Sequence, residues 1–270
     1  MAEPNDSAAT PVTYDVTEQV ATITLARPDS MNSLDLATKV ALLDAVQRAA
    51  GDDDVRCVVL TGTGRAFSVG QDLHEHIEQI STRSLDEVWS TVDEHYGPIA
   101  LALTTMDKPV LAAVNGVAAG AGMSLAMACD LRIAADTAGF NTAFTGVALS
   151  CDTGSSWTLQ RLVGAARAMD LLLLPRTIDA AQALDIGLVN QVVPADDLAA
   201  TVQRLAARLA SGPTLAYAAV KHSVAYAASH PLADSLEFES MMMARTGGSA
   251  DHANAVSAFV AKQKPTFEGR

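Results

Sequence analysis

Two stretches of this chain carry the most usable chemistry, and both join an apolar β run to a helix through a glycine turn. They are VVLTGTGRAFSVGQDL (58–73) and VLAAVNGVAAGAGMSLAMACD (110–130). The first backbone N–H groups of a helix have no partner within it, so such a turn can hold an anion or a developing oxyanion. Two turns converging on one point would supply a pair of donors, the arrangement that stabilises enolates and tetrahedral intermediates. Taken singly, either turn is better explained by tight chain reversal and close helix packing. Neither is a phosphate loop, because no Gly-Lys-Ser/Thr follows, and neither has the spacing and downstream acid of a dinucleotide fingerprint.

The remaining polar candidates have plain structural readings beside any functional one. Asp152 precedes a predicted helix over 153–162, where Asp is a favoured N-cap because its oxygen accepts an orphan N–H. Asp72 reads as a residue that fixes its loop or caps the following turn. His74 and His76 share a face on a strand but diverge on a helix. With no acidic or Cys partners in pattern, no metal site is expected there. His95 reads as a solvated helix residue, Met241–Met243 as core or interface packing, and Arg65 and His222 as surface residues.

The elements that must position these groups follow from periodicity. Strand-like alternation runs over 12–16 and 20–25, and helical spacing of Leu36, Val40, Leu43 and Val46 predicts a helix from Asp35 to about Ala50. Cys57–Leu60 and Val110–Val114 are short buried strands, the second leading into a buried helix over 121–128. A helix over 84–106 is kinked or broken at Gly97-Pro98. After a strand from Arg132 and short helices over 153–162 and 166–174, a last strand lies within 186–193. Helical pattern then fills 196–210, 214–228, 232–244 and 250–262. Strands alternating with helices, then a helical tail, define an α/β core with parallel strands over 11–195 and a helical module over 196–270.

Composition narrows the function classes. Of 270 residues, 49% are hydrophobic and 18% charged, which is too apolar for a disordered chain. Lys and Arg number 18 against 31 Asp and Glu, a net charge of −13, so binding to nucleic acid or to anionic membranes is not expected. Three cysteines without a spacing pattern read as reduced thiols of a cytoplasmic protein. The polar leader over 1–10 lacks the basic and apolar regions of a signal peptide. The uncharged run 110–129 is long enough to span a bilayer. Its central Asn115-Gly116, Gly120 and Gly122, with Asp130 and Arg132 just beyond, make it a strand, a turn and a helix instead.

Together the two glycine segments are far more specific than either alone. Their order and wording resemble the crotonase superfamily of enoyl-CoA hydratases and isomerases, and the resemblance runs along nearly the whole chain. Arg27-Pro28 with Asn32-Ser33-Leu34 resembles the family's opening loop over the coenzyme A phosphates. Phe67-Ser68-Val69-Gly70-Gln71-Asp72-Leu73 matches the first oxyanion segment and 108–130 the second. Phe259, Lys262, Pro265 and Phe267-Glu268-Gly269-Arg270 match the C-terminal signature. The resemblance implies a spiral of βαβ units with a C-terminal helical trimerisation module, in a homotrimer or homohexamer. It implies that the N–H groups of Gln71 and Ala121 polarise the thioester carbonyl of an acyl-CoA. Arg27, Val69, Gly70, Asp72, Leu73, Gly120, Phe144 and Trp157 would contact that substrate, and Phe259 and Lys262 would reach coenzyme A on a neighbouring subunit. The coenzyme A thioester is the substrate, and no separate cofactor is implied.

One departure is equally informative. The two glutamates that hydrate a 2-enoyl-CoA in this family align with Ser124 and Phe144, neither of which exchanges protons near neutral pH as a carboxylate does. The resemblance also raises a catalytic reading of Asp152. Its position carries the working acid in Δ3,Δ2-enoyl-CoA isomerases, in 1,2-epoxyphenylacetyl-CoA isomerases and in 4-chlorobenzoyl-CoA dehalogenase, where it is the nucleophile. The stretch CDTGSSWTLQRLVGAARAMDLLL (151–173) is most similar to the last two branches. Asp152 as a single acid/base fits isomerisation, with Phe144 and Trp157 as apolar neighbours that desolvate it. Dehalogenation would also need a histidine to activate water, and His95 falls off the expected position. A hydratase with an atypical site and a silent acyl-CoA-binding paralogue stay open as alternatives.

Overall fold

A computed structural model describes residues 10–270, so the polar leader lies, apart from Thr10, outside the described residues. The chain opens with an antiparallel hairpin of β1 (Val12–Thr17) and β2 (Val20–Leu25), turned at Glu18 and Gln19, both with positive φ. Three times in succession it then runs through one longer and one short strand. These pairs are β3 (Cys57–Gly62) with β4 (Ala66–Ser68), β5 (Val110–Val114) with β6 (Val117–Ala119), and β7 (Leu131–Ala135) with β8 (Gly139–Asn141). The short strands form a second sheet in the order β4-β6-β8-β9, where β9 is Ile178–Asp179. The longer ones join the hairpin in a six-stranded sheet ordered β1-β2-β3-β5-β7-β10, closed by β10 (Gln191–Val193). Each turn of the chain thus adds one strand to each sheet. This is the expected spiral.

Helices cover both faces of the large sheet, which is why β3, β5 and β7 are buried almost throughout without alternation, Arg132 of β7 included. On the inner face, α1 (Leu36–Gly51), α4 (Gly97–Thr105) and the wholly buried α5 (Ala121–Ala128) pack into the main core. Between β4 and β5 the chain also forms α2 (Leu73–Thr82), α3 (Leu85–Thr91) and a π-helical turn over Val92–Tyr96. The break foreseen at Gly97-Pro98 falls where that turn passes into α4. Later come α6 (Ser155–Val163), α7 (Ala165–Leu173) and α8 (Ala180–Asp185).

The tail is four helices, α9 (Leu198–Ala210), α10 (Thr214–Ala227), α11 (Leu232–Gly247) and α12 (Ala250–Val260). Leu198, Val202, Ala206 and Ala210 of α9 share a second core with Cys57, Val59, Leu111 and Ile133 on the other face of the large sheet. The helix just past residue 195 is therefore bound into the sheet, while α10–α12 extend beyond it. Asp251 accepts from the Glu268 and Gly269 amides at 2.6 and 2.8 Å, and Arg56 reaches the Phe267 carbonyl at 3.0 Å. The C-terminal signature residues are in this way tied back to the body.

Three local expectations are corrected and a fourth is borne out. The stretch before Ser84, for which no helix was expected, contains α2. The stripe read on α1 is rotated, because Val40 is 52% exposed while Lys39, Leu42, Ala45, Val46 and Ala49 are buried. The helix placed at 153–162 begins at Ser155. The run 110–129 is β5, β6 and α5, and no helix among the described residues is long and apolar enough to cross a membrane.

Candidate active site

The two glycine turns meet. Strands β4 and β6 pair in parallel, so the residues that follow them, Gly70-Gln71 and Gly120-Ala121, emerge side by side. Gly70 has φ +81°, and a Cβ added to it would lie 2.9 Å from the Ala119 carbonyl oxygen and 3.0 Å from the Ala121 nitrogen. Only a residue without a side chain fits between the segments. Gly120, at φ 52° and ψ −128°, turns the chain into α5 so that Ala121 is its first residue and its N–H has no partner within the helix.

The other donor is freed by strand geometry. Leu34 donates to the Gly70 carbonyl at 2.8 Å and accepts from the Asp72 amide at 3.2 Å, a parallel bridge centred on Gln71. In such a bridge the central residue's own N–H points away from the partner strand, here from Leu34. Among the described residues neither the Gln71 nor the Ala121 amide donates to a protein acceptor. Both residues line one cavity of about 570 Å³, and the positive end of α5 points at it.

Asp152 lines the same cavity. Its side chain does not cap the following helix, whose N-cap is Gly154, so the structural role open to it in the sequence is not the one it takes. Its Oδ1 accepts from the Thr153 hydroxyl at 2.7 Å. Burial pushes its carboxyl above the ordinary carboxylate range, against the Thr153 hydrogen bond and the positive charge of Lys39. A carboxylate in that condition is a stronger base than a solvated one.

The other carboxylates on the cavity wall are unsuited to proton transfer. Asp29 is exposed. Asp72 caps α2 through the His74 and Glu75 amides and accepts from Ser33 Oγ at 2.8 Å and Arg27 Nη1 at 3.1 Å. Burial alone would raise its pKa, but the bonds from Ser33, the Glu75 amide and Arg27 hold it below the ordinary value. Arg27 also pairs with Asp35 at 3.0 Å. Asn32 Nδ2 bonds the Ala66 and Thr63 carbonyls at 2.7 and 2.9 Å, so the opening loop is clamped to the first oxyanion segment.

The positions aligned with the hydratase glutamates are filled by packing groups. Ser124, fully buried, donates to the Gly120 carbonyl at 3.0 Å and shares a short hydroxyl contact with Ser155 of α6. Phe144, also buried, forms part of the cavity wall with Val88, Trp89, Val92, Val147 and Leu149.

Val69, Leu73 and Gly120 line the cavity wall, and Gly70 does not. Trp157 does not join them. It is 42% exposed, with Arg161 stacked 4.0 Å from its ring, because the buried face of α6 runs through Ser155, Thr158, Leu159 and Val163 and leaves position 157 outside. Phe259 is 85% exposed and Lys262 is exposed, and neither lines this chain's cavity. His95 is buried, not solvated, and meets Thr91 Oγ1 at 3.3 Å outside the cavity. His74 and His76 do line it, the latter 5.4 Å from the Trp89 ring. Among the described residues no cluster of His, Cys, Asp and Glu could hold a metal ion.

A two-sheet spiral with two free amides and a carboxylate of raised pKa on one cavity is the arrangement of a crotonase-type enzyme. The enoyl-CoA hydratase/isomerase family model matches residues 15–270, and the chain belongs to that family. It is 42% identical over 96% of its length to a Rhodobacter capsulatus protein named a probable enoyl-CoA hydratase, of which it covers 98%. It is 40% identical over 94% of its length to the Escherichia coli 1,2-epoxyphenylacetyl-CoA isomerase, of which it covers 97%. The crystal structure of an enoyl-CoA hydratase from Bacillus anthracis superposes with a TM-score of 0.90 at 30% identity, over 96% of this chain and all of that one.

Proposed function

We propose that this enzyme is an enoyl-CoA isomerase in which Asp152 alone moves the proton. The observation that carries the reading is that Asp152, free of helix capping and desolvated, shares a cavity with Gln71 and Ala121, while Ser124 is spent on packing and Phe144 is apolar. In the proposed reaction the thioester oxygen of a 3-enoyl-CoA accepts from the Gln71 and Ala121 amides. The Asp152 carboxylate takes a proton from C2, and the electron pair passes to the oxygen as a dienolate. The same group, now an acid, returns the proton at C4, which leaves the double bond between C2 and C3. Proton count is conserved without water or cofactor, and the apolar wall at Phe144 and Val147 keeps competing water out.

Two features separate this from the other family activities. Hydration needs one group to activate water and another to protonate C2, and a single acid/base does not supply both. Dehalogenation by an aspartyl ester needs a histidine that activates water on the ester; His95, the candidate from the sequence, lies outside the cavity, and that task would fall to His74 or His76 on the α2 side of its wall. Purified wild type and Asp152→Asn assayed on 3-enoyl-CoA and 2-enoyl-CoA test the proposal. Isomerisation abolished in the variant supports it. Hydration that survives in the variant, or thioester binding without turnover of either substrate, overturns it.

A further inference from the structure

A lysine inside an apolar helix face is costly unless its charge is used. Lys39 is 1% exposed, on the side of α1 that packs into the core with Leu42 and Val46. Its ammonium donates to Gln71 Oε1 at 3.2 Å and to Thr91 Oγ1 at 2.9 Å, lies 3.9 Å from Glu75 Oε2, and sits 5.5 Å from the centre of the Tyr96 ring. The Tyr96 hydroxyl, also buried, donates to the same Gln71 oxygen at 2.7 Å. Gln71 Nε2 leans toward Glu75 at 3.5 Å. The side chain of the residue whose N–H faces the cavity is therefore held at both ends.

We infer that Lys39 is a positioning residue, whose buried ammonium fixes Gln71 and thereby aims the Gln71 amide at the reacting oxygen. The inference rests on the oxyanion role proposed above for that amide. Lys39 does not line the cavity, so it acts through Gln71 and through its field. The charged and titratable groups around it are Glu75 and Asp72 at the head of α2, Asp35 at the head of α1, Asp152 across the cavity wall, and His95 and Tyr96 on the π-helical turn. Among these, the ammonium favours the ionised form of Asp152. Removing it would leave the base harder to ionise as well as the amide less well held.

The test compares wild type, Lys39→Met and Tyr96→Phe. Turnover of 3-enoyl-CoA is followed across pH, and the absorption of bound cinnamoyl-CoA is recorded, since polarisation of its carbonyl moves the band to longer wavelength. Lys39→Met should lower kcat by about ten- to a hundredfold with KM changed by less than about threefold. It should also shrink the red shift of the bound thioester and move the acid limb of the profile to higher pH. Tyr96→Phe removes the other donor to Gln71 Oε1 but keeps the charge, so it should lower kcat and leave the acid limb in place. A Lys39→Met protein that loses thermal stability yet keeps the wild-type kcat, red shift and acid limb overturns the inference. If that variant does not fold, unchanged kcat and red shift in Tyr96→Phe overturn it instead. Wild-type protein that binds no thioester overturns the proposed function too, whereas turnover indifferent to both substitutions overturns only the role of Lys39.

Discussion

Gly70 and Ala121 approach so closely that a methyl group on the first would rest 3.0 Å from the amide nitrogen of the second. The contact joins two segments fifty residues apart in sequence, and the two proposed oxyanion donors stand on either side of it. Gly70→Ala should therefore part them. Left-handed φ costs a non-glycine residue about 1–3 kcal/mol, so a modest fall in melting temperature is expected. The larger effect should be on turnover, with kcat down about a hundredfold or more as one donor leaves the oxygen. Stopped-assay kinetics beside a thermal melt will show whether activity falls out of proportion to stability.

Asp152→Asn removes the cavity carboxylate whose pKa burial raises, without changing its shape. The kcat for isomerisation should fall about a thousandfold, with KM near that of wild type. Stability should move the other way. A carboxyl whose folded pKa is raised penalises folding as pH climbs from its ordinary range through the folded value, and the penalty persists above it. The variant should thus melt higher than wild type at neutral pH, with the difference vanishing in acid. Equal melting temperatures at pH 7 would contradict the burial ascribed to this group.

The pH dependence of kcat/KM carries the same signature. Burial raises the Asp152 pKa, so the acid limb should fall above the ordinary carboxylate range, and it should be missing from any residual activity of Asp152→Asn. An acid limb at the position of a solvated aspartate would point to another base.

Asp72 should behave in the opposite sense. Its pKa is held down by Ser33, the Glu75 amide and Arg27, so its contribution to stability is present above the ordinary Asp value and is lost as pH falls through the lower folded value. Asp72→Ala, which removes the α2 cap and the Arg27 pair, should cost about 2 kcal/mol at neutral pH. Urea titrations at several pH values would reveal the narrowing gap between variant and wild type in acid.

Ser124 is expected to matter to packing alone. Ser124→Ala deletes the hydroxyl shared with Ser155 and should cost about 1 kcal/mol. Isomerisation should stay within about twofold of wild type. A large loss of kcat with an unchanged melt would assign this hydroxyl to the chemistry.

Much of this was legible in the chain itself. The glycine turns announced themselves because the same β-turn-helix wording occurs twice, and buried strands such as Val110–Val114 show as apolar runs. The second sheet was not visible, since strands of three residues such as Val117–Ala119 are too short for any period to register. The helix after Asp72 was missed although Leu73, Ile77 and Ile80 recur at helical spacing, because the surrounding turn residues dominated the reading. Lys39 was hidden by its type, as a lysine on a helix is taken for surface. Its place three residues before Leu42, in line with Ala45, Val46 and Ala49, is the pattern that betrays it. Trp157 faces outward because small and polar residues, Ser155 and Thr158, share the buried side of α6 with Leu159 and Val163, and a tryptophan nearby draws the expectation of burial to itself.

The parallel pairing of β4 with β6 has one last implication. Neighbouring strands in a sheet sit at a spacing of about 4.8 Å that hydrogen bonding enforces. The proposed oxyanion pocket inherits that ruler, so its width is set by strand pairing and not by loop sequence. Amide exchange at Ser68 and Ala118 should accordingly be as slow as in the deepest strands, and new specificities would have to arise by repainting the surrounding walls while the pocket itself stays rigid.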